Sequence, residues 1–222
     1  MKWLVSFLVT LCLVSQANAG AWPRGHGKTF TSASGELWQD EQGHLHYYTS
    51  AYLEYGRTPK LSIGTITAMG SLSGADNEIF AGYTVWQKGP HVLSLETALH
   101  ENRTLDFAGQ EQVSPGYGVG LSYGRGFQLA QRNGWITLDA RLNRSTKLQE
   151  FKFDTTLGLS LHERWKVMTQ VFTSTIDGET NIKFAPGVVF SVNEKTHIEL
   201  GARVPSRDAE RAAIKLGLWR EF

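Results

Sequence analysis

The chain has 222 residues, with 22 Lys and Arg against 21 Asp and Glu, and one cysteine, Cys12. This balance, with no basic face, excludes a nucleic-acid partner held through phosphate contacts. Mean hydropathy is slightly negative at -0.26, and no apolar run past the N-terminus approaches the roughly 20 residues of a membrane helix. Alternating membrane strands, which dilute hydropathy, remain allowed, as does a soluble exported protein.

The first residues have the parts of a secretory signal. Lys2 supplies the positive region, Trp3 to Val14 is apolar, and Ala17-Asn18-Ala19 is an A-x-A cleavage site. The expected organisation is a signal peptide over 1–19 and a single domain over 20–222. Leu11 precedes Cys12 where a lipoprotein site needs a small residue, so the mature chain has no cysteine. It therefore has no disulfide and no zinc–thiolate site. Removing Lys2 also leaves its formal charge neutral. The stretch from Ala21 to Lys28, with Pro23, Gly25 and Gly27, reads as a lead-in.

From Thr29 onward, strand follows strand. The first, Thr29–Trp38, has ambiguous facing. In Leu45–Tyr55, Leu45, Tyr47, Ala51, Leu53 and Tyr55 oppose His46, Tyr48, Ser50, Tyr52 and Glu54. Leu61–Met69 alternates less cleanly. Glu78–Trp86 sets Ile79, Ala81, Tyr83 and Val85 against Phe80, Gly82, Thr84 and Trp86. Val92–His100 and Gly116–Tyr123 follow with the same period of two, and then Trp135–Asn143, Glu150–Leu161 and Trp165–Ser174. Asn181–Phe190, Thr196–Val204 and Ala212–Phe222 complete about 12 strands. Each is near the 9–11 residues of a tilted transmembrane strand.

The connections alternate in length on this reading. Gly56–Lys60, Gln87–His91, His162–Arg164 and Asn193–Lys195 are short. Gln39–His44, Gly70–Asn77, Glu101–Pro115, Arg144–Gln149, Thr175–Thr180 and Pro205–Arg211 are longer and polar. Gly124–Gly134 is the exception, a long connection on the short side that holds a short helix or an extended ladder.

The last strand puts Ile214, Leu216, Leu218 and Phe222 on one face. Its aromatic ending resembles the C-terminal signature of bacterial outer-membrane β-barrels. That resemblance implies an all-β, antiparallel, up-and-down transmembrane barrel of about 12 strands in the cell outer membrane. It also implies that the barrel-assembly machinery reads Leu216, Leu218 and Phe222, and that the last strand pairs with the first. More loosely, the C-terminal half looks like small outer-membrane transporters.

In such a barrel the apolar face meets outer-membrane lipid, with Tyr47, Tyr55, Tyr117, Phe151, Trp165, Phe190 and Phe222 as interfacial girdles. The other face lines the lumen. Its charged candidates are Glu54, Glu96, Asp139, Asp154 and Glu199 against Arg141, Lys152, Lys166, Lys183, Arg203 and Lys215, with His100 beside them. Gly64, Gly82, Gly118, Gly120, Gly158, Gly187, Gly201 and Gly217 share that face, and Gly35 breaks the rule. Two readings follow: a water-filled pore passing small polar solutes, or charges paired into a plug, with function carried by the loops.

Catalysis is weakly supported. His46, Ser50 and Glu54 are spaced about 13 Å apart along a strand, and Ser94 and Glu96 lie far from His100. His44 and His46 lack a third metal ligand. No phosphate loop or nucleotide fingerprint is present. The expectation is a narrow porin-like channel with no cofactor. A structural barrel is the alternative, and a lipid-modifying enzyme a weaker one.

Overall fold

In a computed structural model, the described residues are 20–105, 110–146, 148–207 and 211–222. The expected signal, with Ala17 and Ala19, lies outside them. Twelve strands make up the domain: β1 (Thr29–Gln39), β2 (Leu45–Gly56), β3 (Leu61–Gly70), β4 (Gly74–Lys88), β5 (His91–Leu105), β6 (Glu111–Leu129), β7 (Arg132–Ser145), β8 (Gln149–His162), β9 (Trp165–Ile176), β10 (Glu179–Ser191), β11 (Thr196–Pro205) and β12 (Ala213–Glu221). Each pairs antiparallel with its sequence neighbours, and β1 pairs with β12 to close the barrel. Closure leaves no strand edge unpaired, which is what a sheet needs in hydrocarbon. Past β12 the ladder continues, as Phe222 N–H donates to Thr29 O at 2.9 Å.

The period of two sorts side chains into two environments. Outside, Leu99 is 61 % exposed and Leu216 59 %, while inside, Glu36 is 3 % exposed and Glu199 2 %. A protein surrounded by water does the reverse. A continuous apolar exterior of this kind needs lipid around it. The barrel therefore spans a membrane, with a polar lumen in place of an apolar core.

Several connections are shorter than the sequence reading placed them. Glu101–Pro115 is largely ladder: Asn102 faces Ser114 and Leu105 faces Glu111. Gly124–Gly134 takes the extended-ladder form, with Leu129 opposite Arg132. Ala130 and Gln131 make the two-residue turn, at φ 47° and 65°. Asp177 and Gly178 turn the β9–β10 hairpin the same way, at φ 50° and 85°. Positive φ at both central residues matches the twist of the flanking strands. Polar composition suggested loops here, yet pairing satisfies the backbone better than a loop does.

The facing of Trp86 also differs. The β4–β5 register shifts between Thr84 and Trp86. The extra residue, Val85, flips the remainder of β4, so Trp86 stands opposite Leu93 on the outside, 46 % exposed. A similar shift between Ser160 and His162 interrupts β8.

Candidate functional site in the barrel lumen

The structure places all twelve charged or histidine candidates on the inner face, and it sorts them into clusters. On one wall, Arg141 of β7 reaches across Gly120 of β6. Its Nη1 donates to both oxygens of Glu78 on β4, at 2.8 and 2.9 Å, and its Nη2 meets Glu96 on β5. The absence of a side chain at Gly120 leaves the passage open. On the opposite wall, Lys215 of β12 donates to Glu199 of β11 at 2.8 Å.

Arg203 of β11 reaches into the lumen. It forms an ion pair with Glu36 of β1 at 2.6 Å. Its guanidinium carbon lies 5.8 Å from the Tyr48 ring centroid on β2 and 5.3 Å from that of Phe172 on β9. Those strands lie on either side of β11, with β12 and β1 between it and β2, so this one side chain bridges much of the bore. It stands between two polar cavities of about 320 and 500 Å³. Tyr48, Asn181, Lys183 and Arg203 line both. A third cavity of about 170 Å³, lined by Trp135, Gln170, Glu199, Lys215 and Trp219 among others, lies toward the end where β1 starts and β12 ends.

The remaining candidates fall around these features. Lys152 is 3.3 Å from Glu150, and Glu150 also accepts from Ser174 at 2.5 Å. Lys183 makes no ion pair among the described residues. Lys166 is buried, and its Nζ lacks a hydrogen-bond partner. Asp154 accepts the Thr173 N–H at 3.3 Å and faces Asp139 across the β7–β8 ladder. Glu54 meets Arg24 of the lead-in. His100 stands opposite Gly116, and its Nδ1 is buried without a partner.

Sequence reasoning missed Glu36, Glu78 and Arg24. Glu78 has the parity of Phe80 and Gly82, so that signal was present. Glu36 was hidden by the ambiguous first strand, and nothing local in the lead-in marks Arg24 as a lumen residue.

The catalytic sets do not assemble. Ser50 bonds Ser34 at 2.9 Å. His46 instead spans two outer turns: its Nε2 is 2.9 Å from Asp40 and its Nδ1 is 3.2 Å from Ser71. A serine hydrolase uses the opposite nitrogens for carboxylate and hydroxyl. Asp40 is already committed to its turn, accepting the His44 N–H at 2.8 Å. These hydrogen bonds, that from His46 first, hold the Asp40 carboxyl well below the usual carboxylate range.

No family model and no curated protein matches the sequence. Solved structures do match in shape. The chain is similar to the KdgM porin at TM-score 0.65 and 8 % identity, over 86 % of this chain and 99 % of that one. It is similar to the NanC porin at 0.62 and 8 %, over 86 % and 98 %. It is similar to LpxR from Salmonella typhimurium at 0.59 and 8 %, over 86 % and 99 %. At such identities the likeness is one of fold: the chain has the architecture of outer-membrane β-barrels, porins among them.

Proposed function

We propose that the protein is a narrow outer-membrane channel for small polar solutes. The observation that carries this reading is the row of charge-lined cavities inside a closed, apolar-faced barrel, divided by the single side chain of Arg203. The lumen is neither a dry core nor a fully paired plug. Arg141 and Lys215 tie their carboxylates back against the walls, which leaves polar space between them. Lys183, with no ion-pair partner among the described residues, gives the outer half a cation for anionic groups to meet.

The barrel is delivered to lipid by the assembly machinery that reads its last strand. Catalysis is not part of the proposed function, since His46 serves a turn and His100 lies on β5 opposite Gly116. Unchanged lipid turnover after His46→Ala and His100→Ala supports that exclusion, and a loss of turnover would restore the enzyme reading.

Planar-bilayer recording tests the channel. The purified protein should show discrete conductance, and Arg203→Ala should enlarge it. Lys183→Glu should shift the reversal potential toward cations. A well-folded barrel that passes no current, with or without Arg203 and with the lead-in before Gly25 removed, would remove the proposal.

A further inference from the structure

The chain's own lead-in lies in the mouth where β1 starts and β12 ends. Ala21 is fully buried, and its carbonyl accepts the Ser94 hydroxyl at 2.6 Å. The Trp22 ring covers Gly124, where an added Cβ would fall 2.7 Å from it. Arg24 Nε donates to Glu54 at 2.5 Å, and its guanidinium lies 4.2 Å over the Phe30 ring. The Tyr52 hydroxyl donates to the same Glu54 oxygen at 2.8 Å. At the head of the segment, Gly20 lies against Asp139: a Cβ there would be 2.6 Å from Oδ1. Gly20 also adopts φ +99°, a conformation that favours glycine.

Asp139 is poorly matched to its surroundings. It stands directly opposite Asp154 on the ladder, and like charges in that position repel. Among the described residues neither carboxylate is in an ion pair. Ser122 and Thr137 hydrogen-bond the Asp139 side chain, but its Oδ1 is buried without a hydrogen-bond partner, and a buried polar atom left unsatisfied is costly. Among the described residues, Lys152 and Arg141 act on Asp154 from a distance, and no side-chain cation is paired with Asp139.

We propose that Asp139, with Asp154 beside it, is the binding site for this chain's own mature amino terminus. Signal peptidase hydrolysis of the Ala19–Gly20 bond adds hydroxide to the Ala19 carbonyl and leaves an amine on Gly20. That α-amine, with an ordinary pKa of about 7.7–8.0, is mostly protonated at neutral pH. It supplies the missing cation and latches residues 20–24 across the mouth as a plug. The latch rests on these contacts and on cleavage after Ala19. Only its effect on flux rests on the channel reading.

The test uses the mature protein folded in vesicles. Mass spectrometry should show a chain starting at Gly20, and any other start overturns the latch. Acylation of the α-amine at neutral pH should be slow, and Asp139→Asn should speed it about tenfold or more, the scale of a charge-assisted hydrogen bond. A second variant, with one alanine inserted before Gly20, keeps Asp139 but displaces the amine and should behave likewise. Equal rates in all three proteins overturn the proposal. In bilayers, a chain starting at Gly25 should conduct more than the mature chain, and equal nonzero conductance overturns the plug. If both are silent, the channel reading fails, while the acylation rates still decide the latch.

Discussion

Replacing Arg141 with Met should destabilise the barrel more than removing its whole cluster. Arg141 holds two carboxylates, Glu78 and Glu96, and the three side chains are 22 %, 13 % and 21 % exposed. Removing one partner of a buried ion pair typically costs about 3–5 kcal/mol, because the other charge is left uncompensated. Here two carboxylates lose their cation together. Lumen water reaches about a fifth of the cluster, which screens the loss and brings the expected cost to about 2–3 kcal/mol. Replacing all three residues, as Glu78→Gln, Glu96→Gln and Arg141→Met, leaves no orphaned charge and should cost under about 1 kcal/mol. Urea unfolding in vesicles, followed by tryptophan fluorescence and extrapolated linearly, measures both. If the single variant lies within about 0.5 kcal/mol of the parent, the cluster is not an interdependent clamp. A triple variant as weak as the single one would refute the reasoning equally.

On the outside, Leu216→Arg should cost about 2–4 kcal/mol, the cost of a cation near the bilayer midplane; unchanged urea unfolding would mean that this face does not meet lipid. The Asp40 turn should respond to acid. Its carboxyl is held below the ordinary value, so its contribution is fully present above about pH 4, the unfolded range, and is lost as pH falls toward the depressed folded value. Hydrogen-exchange protection of the His44 amide, which donates to Asp40 Oδ1, should fall in that window, and Asp40→Asn, whose amide oxygen still accepts but does not titrate, should abolish the acid response; an acid-insensitive turn in the parent would contradict the assignment. Deleting Phe222 removes two backbone bonds to Thr29, each worth about 1 kcal/mol. It should lower the folded fraction in membranes, seen as loss of the fast-migrating unheated gel band, while leaving the other strands paired. Normal insertion of that variant would undercut the role of the last strand in assembly.

The barrel was legible because alternation is a local signal. Leu95 and Leu99 against Glu96 and Ala98 can be read from five consecutive residues, and the same holds on most strands. What failed was any feature set by distant pairing. The polar residues from Glu101 to Pro115 look like a loop until Asn102 finds Ser114. The bulge at Val85 leaves no sequence mark, and it turned Trp86 outward. The inner face of β1 was hidden because Phe30 points into the lumen beside Ser32 and Ser34, mixing an apolar residue into the polar stripe. Individual charges could be placed on the inner wall, but their partners could not. Glu36 and Arg203 are held together by barrel closure through β12, and Arg24 reaches Glu54 only because the lead-in folds back into the mouth.

Short turns decide where the bore can be narrowed. At the outer end the described connections between β1 and β2, β3 and β4, and β9 and β10 are tight, and the first two are pinned to each other by His46. A turn of two to five residues cannot fold back to mid-height when each extended residue spans only about 3.3–3.6 Å. Among the described residues, narrowing therefore falls to long side chains on the wall and to the lead-in. Arg203 suits the first role, since its guanidinium is held by Glu36 and flanked by Tyr48 and Phe172, which fix it across the opening. Lysine there would keep the charge but lose the planar stacking. Arg203→Lys should thus resemble Arg203→Ala in conductance while preserving ion selectivity. If Arg203→Lys conducts like the parent, charge alone sets the bore, and the aromatic pair has no part in it.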